Sequence, residues 1–177
     1  MPHLNGLTLA CFTCMTIFGS VPAIEAQAPN EVAHAPVPEQ ILAAKRVFIS
    51  NLGDDCNPRG AIIFGGGPER AYDQFYAEMK SWGKYELVAT PAGGDLVFEI
   101  RFHCPAAAID VIKGSSVGPG YDPQLMVAIL DPKTHVTLWA LYEHVQAALL
   151  QANRDKNFDQ AIGRIAGDIK NLTARRN

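Results

Sequence analysis

The stretch "AILDPKTHVTLWALYEH", Ala128 to His144, decides how the whole chain is read. Two runs rich in β-branched, aromatic and aliphatic residues flank Pro132-Lys133-Thr134, the composition of two antiparallel strands joined by a short turn. An aspartate, two histidines and a glutamate crowd the same stretch and invite a reading as an active or metal site. Strand parity argues against that. Neighbours in a strand point to opposite faces, which separates Glu143 from His144. His135 and His144 differ by nine positions, an odd number. Along an extended strand they would lie roughly 30 Å apart on opposite faces. The stretch therefore reads as the hairpin at the middle of a sheet.

Further strands lie on the amino-terminal side. In "DLVFEIRFHC", Leu96, Phe98, Ile100 and Phe102 alternate with Val97, Glu99, Arg101 and His103. That is the period of a half-buried strand. "KRVFISN" (Lys45 to Asn51), "YELVAT" (Tyr85 to Thr90) and the short apolar run "AIIFGGG" (Ala61 to Gly67) are also strand-like. Two segments follow the helical period instead. Tyr72, Phe75, Tyr76, Met79 and Trp82 line one face of a helix that Pro68 opens and Gly83 ends. Phe158, Ala161, Ile162, Ile165, Ala166, Ile169 and Leu172 form the stripe of a second helix. Asn157 and Gln160 are spaced as its capping box, and Arg175 and Arg176 suit its carboxyl end. Pro38 to Ala44 reads as one helical turn. The order predicts an α+β fold: a single largely antiparallel or mixed sheet of four to five strands, with two main helices packed on one face. It occupies residues 40–177 as one domain.

Residues 1–26 read as a secretory signal. "LTLACFTCMTIFGSV", Leu7 to Val21, is apolar but shorter than the roughly 20 residues of a membrane span, and small residues follow as at a cleavage site. The usual positive charge before the apolar run is missing, since no Lys or Arg occurs before Lys45. Residues 27–39, rich in Pro and Ala, read as a flexible linker. Cys11 and Cys14 form a C-x-x-C that leaves with the signal. Cys56 and Cys104 remain, and in an oxidising compartment they either pair or stay as two buried thiols. With a net charge of −3, no basic surface for bulk nucleic-acid binding is expected.

Other motifs are weak in context. Gly114-Ser115-Ser116-Val117-Gly118 has the G-x-S-x-G form. That motif needs a helix after the serine, and "PGYDP" follows instead. Gly65-Gly66-Gly67 before a helix, with Arg70, could hold an anion, but the Lys and Ser/Thr of a phosphate loop are absent. Asp54, Asp55 and Asn57 offer oxygen ligands without EF-hand spacing. His103 and Cys104 are strand neighbours and diverge. Asn171-Leu172-Thr173 matches a glycosylation sequon near a helix end. No metal site and no cofactor are expected.

The blocks "KRVFISN", "PERAYDQFYAEMKSWGKYELV", "DLVFEIRF", "PQLMVAILDPKTHVTLWALYEHV" and "NRDKNFDQAI" resemble a family of small exported bacterial proteins without characterised activity. The similarity covers about residues 40–173. More loosely, Asp95-Leu96, Asp131, Lys133-Thr134 and Trp139 resemble the core pattern of envelope lipoproteins of unknown function. Gly94 replaces an alanine of that pattern, and no lipobox is evident. The looser resemblance implies an α/β sandwich like the amino-terminal domains of TolB-type assembly proteins, and it carries over no catalytic residues.

These readings lead to an exported, periplasmic or envelope, non-enzymatic binding or assembly module, with an envelope protein as partner and no membrane span in the mature chain. Its contact surface is expected on the polar sheet face at Glu99, Arg101 and His103. The alternatives are a small secreted hydrolase working from the loops at Asp54 to Arg59 or Ser115-Ser116, and a small-ligand or metal-binding periplasmic protein.

Overall fold

A computed structural model describes residues 35–56, 64–105, 122–146 and 148–175. The chain divides into Met1–His34 and Ala35–Asn177, and the described residues lie in the second unit. Its elements are α1 (Glu39–Ala43), β1 (Arg46–Asp54), α2 (Arg70–Trp82), β2 (Glu86–Leu87), a 3-10 turn (Pro91–Gly93), β3 (Leu96–His103), β4 (Gln124–Leu130), β5 (Thr137–His144) and α3 (Gln151–Ala174). The strands form one five-stranded sheet in the order β2-β1-β3-β4-β5. β1 runs parallel to β2 and β3, while β3, β4 and β5 are antiparallel neighbours. The fold is α+β with a mixed sheet, as expected.

The alternation in β3 does what its period implies. Leu96, Phe98, Ile100 and Phe102 are buried in a core with Val47 and Ile49 of β1, and Leu125, Val127 and Ile129 of β4. The same core takes in Ile41 of α1, Ala71, Phe75 and Met79 of α2, and the Phe158-to-Leu172 stripe of α3. All three helices therefore pack on one sheet face. Burying apolar area at about 25 cal/mol per Å² is the main favourable term.

The Ala128–His144 stretch forms the expected hairpin. Its turn closes with the Val136 carbonyl accepting from Asp131 N–H and the Asp131 carbonyl from His135 N–H, with His135 in the left-handed region at φ 59°. Its place differs from the expectation. β3 is the middle strand, and the hairpin carries the sheet to its edge at β5. The parallel β1–β3 pair is the reason: a connection through α2 brings β1 to the far side of β3, and sequence alternation alone does not report strand order.

Three boundaries also move. Helix α3 starts at Gln151, so Asn157 lies inside it and its side-chain amide donates to the Gln146 carbonyl. The extra turns are polar and show no apolar period; Arg154 holds them by donating to the Ala148 and Leu149 carbonyls. The Tyr85–Thr90 strand shrinks to Glu86–Leu87. Helix α2 starts at Arg70, after a turn at Gly66 and Gly67 with φ of 95° and 76°. Pro68 thus sits just outside it, while Gly83 ends it at φ 68° as read from sequence. Residues 61–63 of the "AIIFGGG" run lie outside the described residues.

Gly94 is a case of close approach. A Cβ there would meet the Leu96 carbonyl oxygen at 2.8 Å and the Phe48 nitrogen at 3.2 Å. Both are backbone atoms inside the sheet and cannot rotate away. Gly94→Ala is expected to destabilise the fold by about 2 kcal/mol, read as a lower urea midpoint at unchanged slope.

Candidate contact face

The helices leave the other face of the sheet without a helical cover among the described residues. Strand register places the side chains on it. Val97, Glu99, Arg101 and His103 of β3 lie beside Phe48 and Ser50 of β1, and beside Leu130, Ala128, Met126 and Gln124 of β4. Beyond them, Ala140, Tyr142 and His144 of β5 continue the rows. One end of this face is apolar, with Phe48, Val97, Ala128 and Leu130. The other end is polar. Tyr142, 60% exposed, stands at the margin.

The polar end is built from the residues singled out in the sequence, joined by some that were not. Cys56 and Cys104 are disulfide-bonded, with Cα atoms 4.8 Å apart. The bond ties the end of β1 to the end of β3. Asp54 and Asp55 fix the local chain: Asp54 Oδ1 accepts from Cys56 N–H at 2.6 Å, and Asp55 Oδ1 from Cys104 N–H at 2.9 Å. The second oxygen of Asp55 pairs with His103 Nδ1, and Arg101 Nη1 stands 4.0 Å away. Burial pushes the Asp55 carboxyl up, but the Cys104 N–H, His103 and Arg101 outweigh it and hold the pKa below the usual value. Burial dominates at Asp54, adds to the charge of Asp55 and raises its pKa against the Cys56 N–H.

The pattern repeats across the sheet. His144 Nδ1 pairs with Asp122, and Gln124 donates to the same carboxylate. Gln124 lies directly between His103 and His144 in the strand register. Two strand spacings separate the histidine backbones, about 10 Å, and each Nδ1 is turned to its own carboxylate, Asp55 or Asp122. Among the described residues no group of three metal ligands converges. Nor is any hydroxyl or thiol of a described residue hydrogen-bonded to either imidazole Nε2, and both thiols of the described residues are spent in the disulfide.

Of the sequence candidates, Arg101 and His103 meet at this end together with Cys56 and Cys104. Glu99 lies on the same face one register step inward, opposite Ser50 and Ala128. Sequence reading missed Asp55 and Asp122 as partners of the histidines. The available signal was an aspartate next to Cys56 and a histidine next to Cys104, but the pairing of strands was needed to use it. The anion reading of Gly65 to Arg70 is overturned. Arg70 donates to Asp155, Asp159 and the Gly65 carbonyl, and Gly65 N–H donates to Asp155. The site's positive charge is already met within the fold. Ser115, Ser116 and Asn57 lie outside the described residues.

A second concavity, about 530 Å³, lies between α1, the start of β1 and the hairpin turn, lined by Lys45, Arg46, Asp95, Asp131 and Lys133. Asp95 accepts from Lys45 N–H and from the Arg46 N–H and side chain, which bring its pKa down to about 2. Asp155 is likewise brought down to about 2, by Arg70, Gln151 and Gly65 N–H. With Asp55, these carboxylates have folded-state values below the unfolded reference near 3.9. Their stabilisation is full above about pH 4 and is lost as pH falls toward about 2. Raised Asp54 acts in the opposite sense. The expected net result is a melting temperature flat near neutrality and falling steadily from about pH 4 to pH 2, followed by circular dichroism.

No helix among the described residues is long and apolar enough to cross a membrane. No family model matches the chain, and no curated protein matches it. Solved structures similar to it include the PelC dodecamer from Paraburkholderia phytofirmans. That likeness has 12% identity and a TM-score of 0.40, over 75% of this chain and 89% of the other. Protein XCC0632 from Xanthomonas campestris, of family DUF330, gives 12% identity and 0.42 over 73% and 83%. Lipoprotein GNA1162 from Neisseria meningitidis gives 10% identity and 0.36 over 72% and 99%. At these scores the likenesses carry no argument about what this chain does.

Proposed function

We propose that this protein is an exported binding or assembly module of the bacterial envelope, and that it works by contact through the open sheet face. The observation that carries this reading is the construction of that face. It has no helical cover among the described residues and grades from apolar to polar, and its polar end is held in place by a disulfide and two Asp–His pairs. Such a mixture of apolar area and fixed polar groups is the composition of a protein contact surface. The amino-terminal sequence supports export, and the disulfide fits an oxidising compartment. Likeness to the TolB amino-terminal domain belongs to the same proposal.

The test is capture from an envelope fraction with the wild-type chain and with Glu99→Arg and Arg101→Glu variants. A partner retained by wild type and reduced at least about tenfold by both charge reversals is the expected result. A partner profile identical for all three chains contradicts the proposal.

A second reading has a specific observation behind it. Asp55 and His103 form an Asp–His pair, the arrangement that orients an imidazole as a general base. A nucleophile on the Nε2 side would complete it. Fluorophosphonate labelling of Ser115 or Ser116 that disappears in His103→Ala would favour the hydrolase over the contact module.

A further inference from the structure

We propose that β5 pairs edge to edge, antiparallel, with β5 of a second copy of this chain, across a twofold axis at Leu141. The two edges of the sheet are unlike. The β2 edge is two residues long and offers little to pair with. The β5 edge is eight residues long. Between Thr137 and Ala140 and on through Tyr142 it carries neither proline nor lysine, the usual guards of an exposed edge.

The ladder fixes which backbone groups point outward. Val145 N–H donates inward to the Pro123 carbonyl at 2.8 Å, so with the register from Gln124↔His144 to Ile129↔Trp139, before the shift at Leu130, the backbone groups of Trp139, Leu141 and Glu143 face β4. Ala140 and Tyr142 then turn their N–H and C=O groups away from the sheet. The His144 carbonyl is already taken by Arg164, which marks the end of the available edge. Ala140 and Tyr142 are two residues apart, so a second copy running antiparallel can set its Tyr142 opposite Ala140 and its Ala140 opposite Tyr142. This makes four backbone hydrogen bonds about the axis.

Side chains suit a second copy of this strand in that register. A large ring stands opposite a methyl group twice, on one face of the joined sheet. Tyr142 is 60% exposed in the single chain, and the pairing covers it. Charge suits it as well. Glu143 and His144, the carboxylate and imidazole of β5, fall at opposite ends of the antiparallel pair, facing Trp139 and Leu138 of the second copy rather than each other. A parallel pairing would bring like charges side by side. The result is a continuous sheet of two copies with both contact faces on the same side.

An edge pairing of this size is a weak, concentration-dependent contact. Sedimentation velocity on the purified protein up to roughly 300 µM is expected to show a monomer–dimer equilibrium. Tyr142→Pro removes an outward N–H without breaking an inward ladder bond, and Ala140→Lys adds an edge guard. Both are expected to weaken the dimer at least about tenfold while circular dichroism stays that of wild type. A wild-type monomer throughout the range overturns the proposal, and so does a dimer equally strong in both variants. If Tyr142→Pro fails to fold, Ala140→Lys decides alone. Charge reversals at Glu99 and Arg101 leave this equilibrium unchanged, which separates it from the contact proposed for the face.

Discussion

Replacing Cys56 and Cys104 by alanine is expected to lower the unfolding free energy by about 4 kcal/mol. The bond closes a loop between positions separated by 48 residues. Breaking it returns the entropy of that loop to the unfolded chain, and the term depends only logarithmically on loop length. Local consequences add to the entropic one. Asp54 and Asp55 orient on the N–H groups of Cys56 and Cys104, so freeing the strand ends loosens the carboxylate that pairs with His103. Guanidinium unfolding of the oxidised wild type against the double alanine variant measures the loss. Oxidised wild type with added reductant should approach the variant. Equal midpoints with and without the bond would show that the strand ends are held by something else.

Phe158→Ala is the second large effect, also about 4 kcal/mol. Phe158 is 2% exposed. Its ring centroid lies 5.1 Å from that of Phe102 and 5.7 Å from that of Phe64, and the Arg70 guanidinium sits 4.5 Å above it. The side chain thus joins α3 to the central strand and to the segment before α2. Truncation leaves a cavity among three elements that cannot all close in, the circumstance that places such changes at the upper end of the range. Phe158→Leu keeps most of the volume and is expected to lose about half as much. Equal losses for the two variants would point to the cation contact with Arg70 rather than to packing.

Much of the architecture is legible in the sequence. The alternation of Leu96 to His103, the stripes of α2 and α3, and Pro132-Lys133-Thr134 each report a local period that the fold obeys. What failed was non-local. Nothing in the period of "AILDPKTHVTLWALYEH" says that β1 adds on the far side of β3, so the sequence alone places the hairpin at the middle of the sheet. The first turns of α3 are polar, and their helicity depends on Arg154 and on Asp155 meeting Gly65 and Arg70 from another part of the chain. The contact face was half legible. Parity put Glu99, Arg101 and His103 together, and export made a Cys56–Cys104 bond one of two outcomes. The histidines' acidic partners come from outside their strands, Asp55 from the end of β1 and Asp122 from just before β4.

By the same strand parity, the charged residues of Ala128 to His144 do not converge on one site. His135 closes a turn, Glu143 binds Arg164 of α3, and His144 belongs with Asp122 and the row across the open face. The charges that crowd together in sequence serve three separate places.

The central claim is that this protein meets its partner through the open sheet face. Photo-cross-linking in exporting cells tests it most directly. A photoreactive phenylalanine analogue is placed at Glu99 on that face and, in a second chain, at Asp168 of α3 on the opposite side of the domain. The account predicts a discrete adduct from position 99 and none from position 168. Adducts from position 168 alone, or the same adducts from both, would contradict it.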